Sequence, residues 1–446
     1  MLFRSVLAVE ALGLTASNQS RGHRFMSDGD FTIMHADDYV EACRAASVLA
    51  DFEERRGVIE TQISRLAAEH GAVLEDDPAL LEEVTSLVEW PVALTGTFEE
   101  AFLKVPAEVL ISAMKAHQRY FHLVDPATGK LLPRFITVAN IESSHTDVVI
   151  AGNERVIRPR LADAAFFFEQ DTRTKLEDNL PRLSQVVFQA DLGTYEQKSE
   201  RISRLAGNIA VLLGADRTMA EQAGRLSKAD LVSDMVIEFP DLQGVMGGYY
   251  AAHDGESNEV VKGIAQHYRP EYSGGPLPEG PIASAVALAD KVDTLVGLFG
   301  INQPPTGSKD PFALRRQSLG VIRICIENAL SFDLMDCLVL AASAYARDFN
   351  IAPLADYIIE RLTNYYAEQQ ISGDVVDAVV ATRKGDSLDL VMLDQFVQTI
   401  ASFREAAAAE QIIAANKRVA NILRQADAGH HQYDAGLATE IGRAHV

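Results

Sequence analysis

The residues predict an α+β N-terminal half followed by a mainly α-helical remainder. Helical and strand signals alternate from about Phe25 to Phe188, and helical periodicity takes over after Leu192-Gly193. At 446 residues the chain also exceeds the roughly 250–300 residues at which a single core stops growing, so more than one domain is expected.

In the first half, Phe52, Ile59, Ile63 and Leu66 recur at helical spacing and Gly71 follows the helix end. Pro91–Phe98 is short and β-rich. Tyr120–Val124 and Leu131–Asn140 read as strands joined by the turn Asp125–Lys130, which carries a proline and a glycine. Beyond Gly193, Ile202, Leu205, Ile209, Leu212 and Leu213 form one stripe closed by Gly214. Tyr272–Pro281 and Asn302–Asp310 read as loops by composition. Leu354, Ile358, Leu362 and Tyr365 are placed on one helix face, and Ala406–Arg424 is rich in helix formers. The expected domains are 1–190, 191–330 and 331–439. Residues 1–5 and 440–446 read as translated adapter sequence, and the sequence is taken as a piece of a longer protein.

Hydrophobic residues make up 48% of the chain, yet no run approaches the roughly 20 uninterrupted apolar residues of a membrane span. The apolar N-terminal stretch is broken by Glu10, which argues against a secretory signal. Cys43, Cys325 and Cys337 are too few and scattered for a disulfide framework, so they are expected to be buried thiols in a reducing, cytoplasmic compartment. A net charge of −23 opposes blanket attraction to nucleic acid, so any RNA contact must be local.

The candidate chemistry is sparse. Neither GxxxxGK[ST] nor GxGxxG occurs. Gly244-Val245-Met246-Gly247-Gly248 is the nearest approach, and it reads as a turn or tight helix packing rather than a phosphate loop. No GxSxG elbow is present. Ala223–Leu231 resembles the ALLHD helix of His-Asp phosphohydrolases, with Ser227 and Lys228 where metal-binding His and Asp would fall. Ala289–Asp293 resembles that family's final Asp-bearing helix. No histidine lies between Asp191 and Ala252 to serve as the first ligand, and His253-Asp254 reads as a solvated loop or helix end. Ser227, Lys228 and Asp290 are therefore expected to be vestigial, with no metal and no catalytic residue.

RNA contact calls for grouped cations. Lys309, Arg315, Arg316 and Arg323 fall in one short segment, opposed there only by Asp310, and Arg316 and Arg323 share a helical face. Lys417 and Arg418 form a second patch. A solvated helix face is the alternative reading of each. Between Gly152 and Arg182 acids balance the arginines, so ion pairing is expected there.

Taken in order, several segments resemble the β subunit of the bacterial two-subunit glycyl-tRNA synthetase. They are Arg21-Gly22-His23-Arg24-Phe25, Ser86–Pro91, Met114–Phe121, Gly152–Val156, Arg160–Ala164, Glu238–Gly247, Lys309–Arg316 and Ala415–Val419, and they run almost end to end. The resemblance implies an α2β2 tetramer in which α activates glycine with ATP and β binds tRNA(Gly) for transfer. ATP would act through α, and neither a membrane nor DNA is implied as a partner. It also implies an editing-domain-like α+β region over 1–190, a degenerate His-Asp-type helical domain over 191–330, and a helical linker with the start of an anticodon-binding region over 331–439. The family's N-terminal start and most of its anticodon domain would be missing. HIGH, KMSKS and arginine-bearing GxGxER signatures are absent from the sequence, which agrees with activation on another chain. The alternatives are a metal-dependent His-Asp phosphohydrolase and a non-enzymatic RNA-binding scaffold.

Overall fold

The computed structural model describes residues 9–11, 13–345, 347–382, 387–405 and 409–425. The ends read as adapter sequence, and residues 406–408 of the last predicted helix, lie outside the described residues. The chain divides into two compact units, Met1–Asp293 and Thr294–Val446.

Unit 1 begins with two short antiparallel pairs, β1 (Glu10–Ala11) with β2 (Leu14–Thr15) and β3 (Gln19–Arg21) with β4 (Asp30–Thr32). Helices α1 (Tyr39–Ala45), α2 (Phe52–Glu69) and α3 (Pro78–Leu87) follow. The Asp51 and Asp77 carboxylates accept backbone N–H bonds that start α2 and α3, and Pro78 sits in the first turn of α3, where its missing donor is harmless. Strand β5 (Val92–Thr97), helix α4 (Ala107–Gln118) and strands β6 (Phe121–Val124) and β7 (Leu131–Ala139) complete an antiparallel sheet in the order β5-β7-β6. The predicted strands and turn are thus present. Ile59 and Ile63 of α2, Leu80, Leu81 and Val84 of α3, and Phe121, Leu123 and Ile136 of the sheet form one core.

The rest of unit 1 is helical apart from the small pair β8 (Val187–Gln189) and β9 (Gly193–Thr194). Its helices are α5 (Thr146–Asp171), α6 (Tyr195–Leu212), α7 (Arg217–Leu226), α8 (Asp234–Glu238), α9 (Val245–His253), α10 (Asn258–Gln266) and α11 (Gly280–Gly300), which continues past the unit boundary. A reciprocal capping box between Thr194 and Gln197 opens α6, and Gly214 turns the chain at φ +70° after its end. Ile202, Leu205 and Ile209 are buried as predicted, but Leu212, in the last turn, stands 48% exposed. The helix expected over Ala223–Leu231 breaks: α7 stops at Leu226, where Ser227 Oγ bonds back to the Gly224 carbonyl, and Ala229–Val232 forms a separate 3₁₀ turn. The predicted loop Tyr272–Pro281 ends at Glu279, two residues sooner, because Pro281 suits the first turn of α11, which begins at Gly280.

Unit 2 contains α12 (Leu314–Glu327), α13 (Leu334–Ser343), α14 (Ala352–Glu368), α15 (Gly373–Ala381), α16 (Leu390–Glu405) and α17 (Ala409–Gln425). Leu354, Ile358 and Leu362 are buried together; Tyr365 on the same face is half-buried, and Tyr366 beside it is fully buried. Cys43, Cys325 and Cys337 are free and buried; burial pushes the Cys337 thiol up to about 12. Among the described residues no helix is long and apolar enough to cross a membrane.

Candidate functional site

The most polar part of the interior of unit 1 lies on α11. This helix is apolar for most of its length, yet Asp290, Lys291 and Asp293 are each under 5% exposed. Buried charges need partners, and three elements supply them. From α6, Lys198 Nζ lies 3.1 Å from Asp290 Oδ1 and 3.0 Å from Asp293 Oδ2, while Arg201 Nε lies 2.6 Å from Asp293 Oδ1. Lys198 and Arg201 are three residues apart, so a single helical face carries both. From the turn after α7, Lys228 Nζ lies 2.8 Å from Asp290 Oδ2 and 2.8 Å from His267 Nε2, and 3.8 Å above the Tyr268 ring. Beyond α10, the His267 and Tyr268 carbonyls accept from Lys291 Nζ.

The tautomer of His267 follows from its neighbours. Nδ1 lies 2.6 Å from the Ile264 carbonyl oxygen, which can only accept, so Nδ1 carries the proton and Nε2 offers its lone pair to Lys228. Burial, reinforced by the Lys228 charge, holds His267 well below the ordinary histidine range, so the ring is neutral. Burial pulls Lys228 down to about 8, against the attraction of Asp290. Burial would raise Asp290, but Lys228 and Lys198 overcome it and leave the carboxyl far below the usual range. Lys228 and Asp290 are both ionised at neutral pH.

The His-Asp resemblance implies a metal ion in this region, and the residues present do not fit one. The point on which His267 Nε2 and Asp290 Oδ2 converge is filled by an ammonium nitrogen, and a divalent ion there would meet a buried positive charge. Ser227, fully buried, spends its hydroxyl on the Gly224 carbonyl.

The glycine-rich turn is filled in a similar way. Asp230 Oδ2 accepts from the backbone N–H groups of Gly244, at 2.6 Å, and Gly247, at 2.9 Å. Gly244 adopts φ +82°, and a Cβ on Gly247 would come 2.8 Å from Ile264 Cγ2 and 3.1 Å from Asp230 Oδ2. The turn is therefore an anion nest whose anion is internal. Burial raises Asp230 to about 6 despite these two bonds, and its Oδ1 has no hydrogen-bond partner among the described residues. His253-Asp254 forms a helix end, as expected: α9 stops at His253 and Asp254 Oδ2 accepts from Leu176 N at 2.7 Å.

Unit 2 carries the cations predicted to meet RNA. Asp310 accepts from the backbone N–H groups of Leu314 and Arg315, so the acid expected to oppose the patch instead starts α12. Arg315 donates to the Gly307 carbonyl at 2.6 Å, which draws the loop bearing Lys309 against the start of α12. Lys309 and Arg316 are exposed. Arg323 differs, because Glu327 one turn on takes its Nε at 2.7 Å and its Nη2 at 3.0 Å. Lys417 and Arg418 are exposed on α17, a separate helix that packs on α16. In the arginine-rich stretch of unit 1, Arg158 pairs with Glu99 and Arg173 with Glu169, as the balance of charges there implies.

Lys198, Arg201, Asp230, His267 and Tyr268 were not singled out by the sequence reading. His267 arrives from the far end of α10, beyond the stretch Asp191–Ala252 where a first ligand was expected. Two signals could have found the network: charges inside the otherwise apolar run Ile282–Leu298, and the cation pair Lys198/Arg201 on a helix with a buried apolar stripe.

A family model described as glycyl-tRNA synthetase beta subunit matches residues 1–381. Over 422 residues the chain is 49% identical to the glycine–tRNA ligase beta subunit of Pseudoalteromonas translucida, covering 94% of this chain and 61% of that protein. It is 48% identical over 437 residues to the protein of that name from Shewanella woodyi, covering 97% and 62%. With the Colwellia psychrerythraea protein it is 48% identical over 446 residues, covering 99% and 64%. The chain thus spans less than two thirds of the length of these curated relatives.

Proposed function

The chain belongs to the glycyl-tRNA synthetase beta-subunit family, and from that premise we propose that it is the tRNA-holding, non-activating part of a glycine–tRNA ligase. An α subunit forms glycyl-adenylate from glycine and ATP, and this chain holds the acceptor arm of tRNA(Gly) so that its terminal ribose hydroxyl meets that adenylate. Its contribution is effective concentration rather than bond-making. The observation that carries the reading is the family match along residues 1–381. Within it, the two places most like enzyme sites are filled by the chain's own side chains, Lys228 at His267/Asp290 and Asp230 at the glycine turn.

On this reading residues 1–190 are an editing-like region, 191–330 a His-Asp-like region used for binding rather than hydrolysis, and 331–439 a linker with the start of an anticodon-binding region. Lys309, Arg315, Arg316, Arg323, Lys417 and Arg418 are the proposed RNA contacts. Lys309 and Arg316 are the best presented of the first group, Arg323 the least because Glu327 already neutralises it. A metal-dependent phosphohydrolase is disfavoured by the buried ammonium of Lys228. The test is tRNA(Gly) binding by the full chain across a salt series. Arg315→Glu with Arg316→Glu should weaken binding at least tenfold at low salt and make log K against log salt shallower by roughly 1–2. Affinity unchanged within twofold, or insensitive to salt, would overturn the assignment of this surface.

A further inference from the structure

We propose that Lys228 is the resident cation of a converted cation site: its ammonium occupies the coordination sphere formed by His267 Nε2, Asp290 Oδ2 and the Tyr268 ring. The site is therefore specific for a primary ammonium and closed to metal. The geometry is that of cation ligation rather than of an incidental ion pair. An ammonium has three N–H donors, and three acceptors of different kinds are present: an imidazole lone pair at 2.8 Å, a carboxylate oxygen at 2.8 Å and an aromatic face at 3.8 Å. His267 is oriented as a metal-bound histidine is, with its other nitrogen donating to a backbone carbonyl, here that of Ile264. The carboxylate is held from behind, since Lys198 meets its second oxygen. Lys228 itself is 2% exposed, so water contributes little to its solvation and the protein groups supply it instead.

The consequence is mechanical. Lys228 leaves the 3₁₀ turn after α7 and reaches α11 through Asp290 and the end of α10 through His267 and Tyr268, so one cation ties three segments that the sequence separates by up to 62 residues. A metal ion could do the same, but only under metal-replete conditions. The ammonium does it with no metal supply.

The test uses the full 446-residue chain, with unfolding of unit 1 followed by the fluorescence of Trp90, its single tryptophan. Lys228→Ala should lower Tm by on the order of 10 °C, as expected when one partner of a buried pair is removed. Ethylammonium chloride should restore several degrees where sodium chloride at equal concentration does not, and adding His267→Ala should abolish that restoration. Lys228→Met, which keeps the volume and removes the charge, covers the case in which Lys228→Ala fails to fold: it should be as severely destabilised, and a Tm within a degree of the parent would overturn the proposal. So would a folded Lys228→Ala that ethylammonium does not stabilise beyond sodium. Stoichiometric binding of Co²⁺ by the parent chain, lost on His267→Ala, would overturn it from the other side.

Discussion

His267 and Asp230 are neighbours of the same lysine and respond to acid in opposite directions. The folded chain keeps His267 neutral, whereas the unfolded chain takes up a proton near pH 6.5, so this residue makes unit 1 lose stability as pH falls below that value, by roughly 1.4 kcal/mol per pH unit. Asp230, raised to about 6 by burial, accepts a proton in the folded state before it would in the unfolded state, so between pH 6 and its ordinary 3.8 it makes stability rise as pH falls. Asp290 and Asp293, both lowered by Lys198 and their other cations against burial, lose their contribution only as pH falls through 3.8 and below. Trp90-monitored urea unfolding should therefore show stability falling from pH 6.5 to 6, levelling toward pH 4, then falling again. Asp230→Asn should remove the plateau, and His267→Gln should remove the first decline; a parent profile unchanged by either variant would contradict these assignments. Sequence alone marked Ser227, Lys228 and Asp290, because they lie in segments resembling a known helix pair. It did not mark His267 or Lys198, whose relevance depends on how α6 and α10 cross α11.

Among the helices, periodicity was the most readable feature and small-residue contacts the least. The stripe Ile202, Leu205 and Ile209 identified the buried face of α6 directly, and the Pro and Gly of residues 125–130 identified the turn between β6 and β7. The break of α7 at Ser227 was not readable, because Arg217–Leu231 reads as largely helical in composition, and the Ser227 hydroxyl bond to the Gly224 carbonyl and the Lys228 contact with Asp290 appear only in the fold. Nor was the intimacy of α6 with α7. A Cβ on Gly224 would lie 2.9 Å from Ser203 Cα, a backbone atom that cannot yield, whereas one on Gly207 would meet only the flexible Glu221 side chain. Gly224→Ala should destabilise unit 1 by about 1–3 kcal/mol. Gly207→Ala, which gains helix propensity but must shift the Glu221 side chain and its bond to Arg217, should cost less than Gly224→Ala. Thermal melts of the two variants give the comparison, and equal losses would show that α6 and α7 are not packed this closely.

At the level of the molecule, a net charge of −23 opposes blanket attraction to RNA, so the proposed contact is local, at the exposed Lys309 and Arg316 and the flanking Arg315 of unit 2. The overall α+β to α-helical progression was legible from alternating and then continuous periodicity; the division into units at residues 293 and 294 was not, since it falls inside the apolar helix α11. The chain belongs to the glycyl-tRNA synthetase beta-subunit family, and the proposed function gives the cations and the filled interior a common purpose: holding tRNA for glycine that another subunit would activate. The most direct measurement is glycine-dependent pyrophosphate exchange together with glycyl-tRNA formation. It is made with this chain grafted in place of the matching segment of the Shewanella woodyi beta subunit, with and without the corresponding α subunit. The predicted result is no exchange by the grafted chain alone, exchange by α, and glycyl-tRNA only when both are present; exchange by the grafted chain alone, or glycyl-tRNA formed equally well by α without it, would contradict the account.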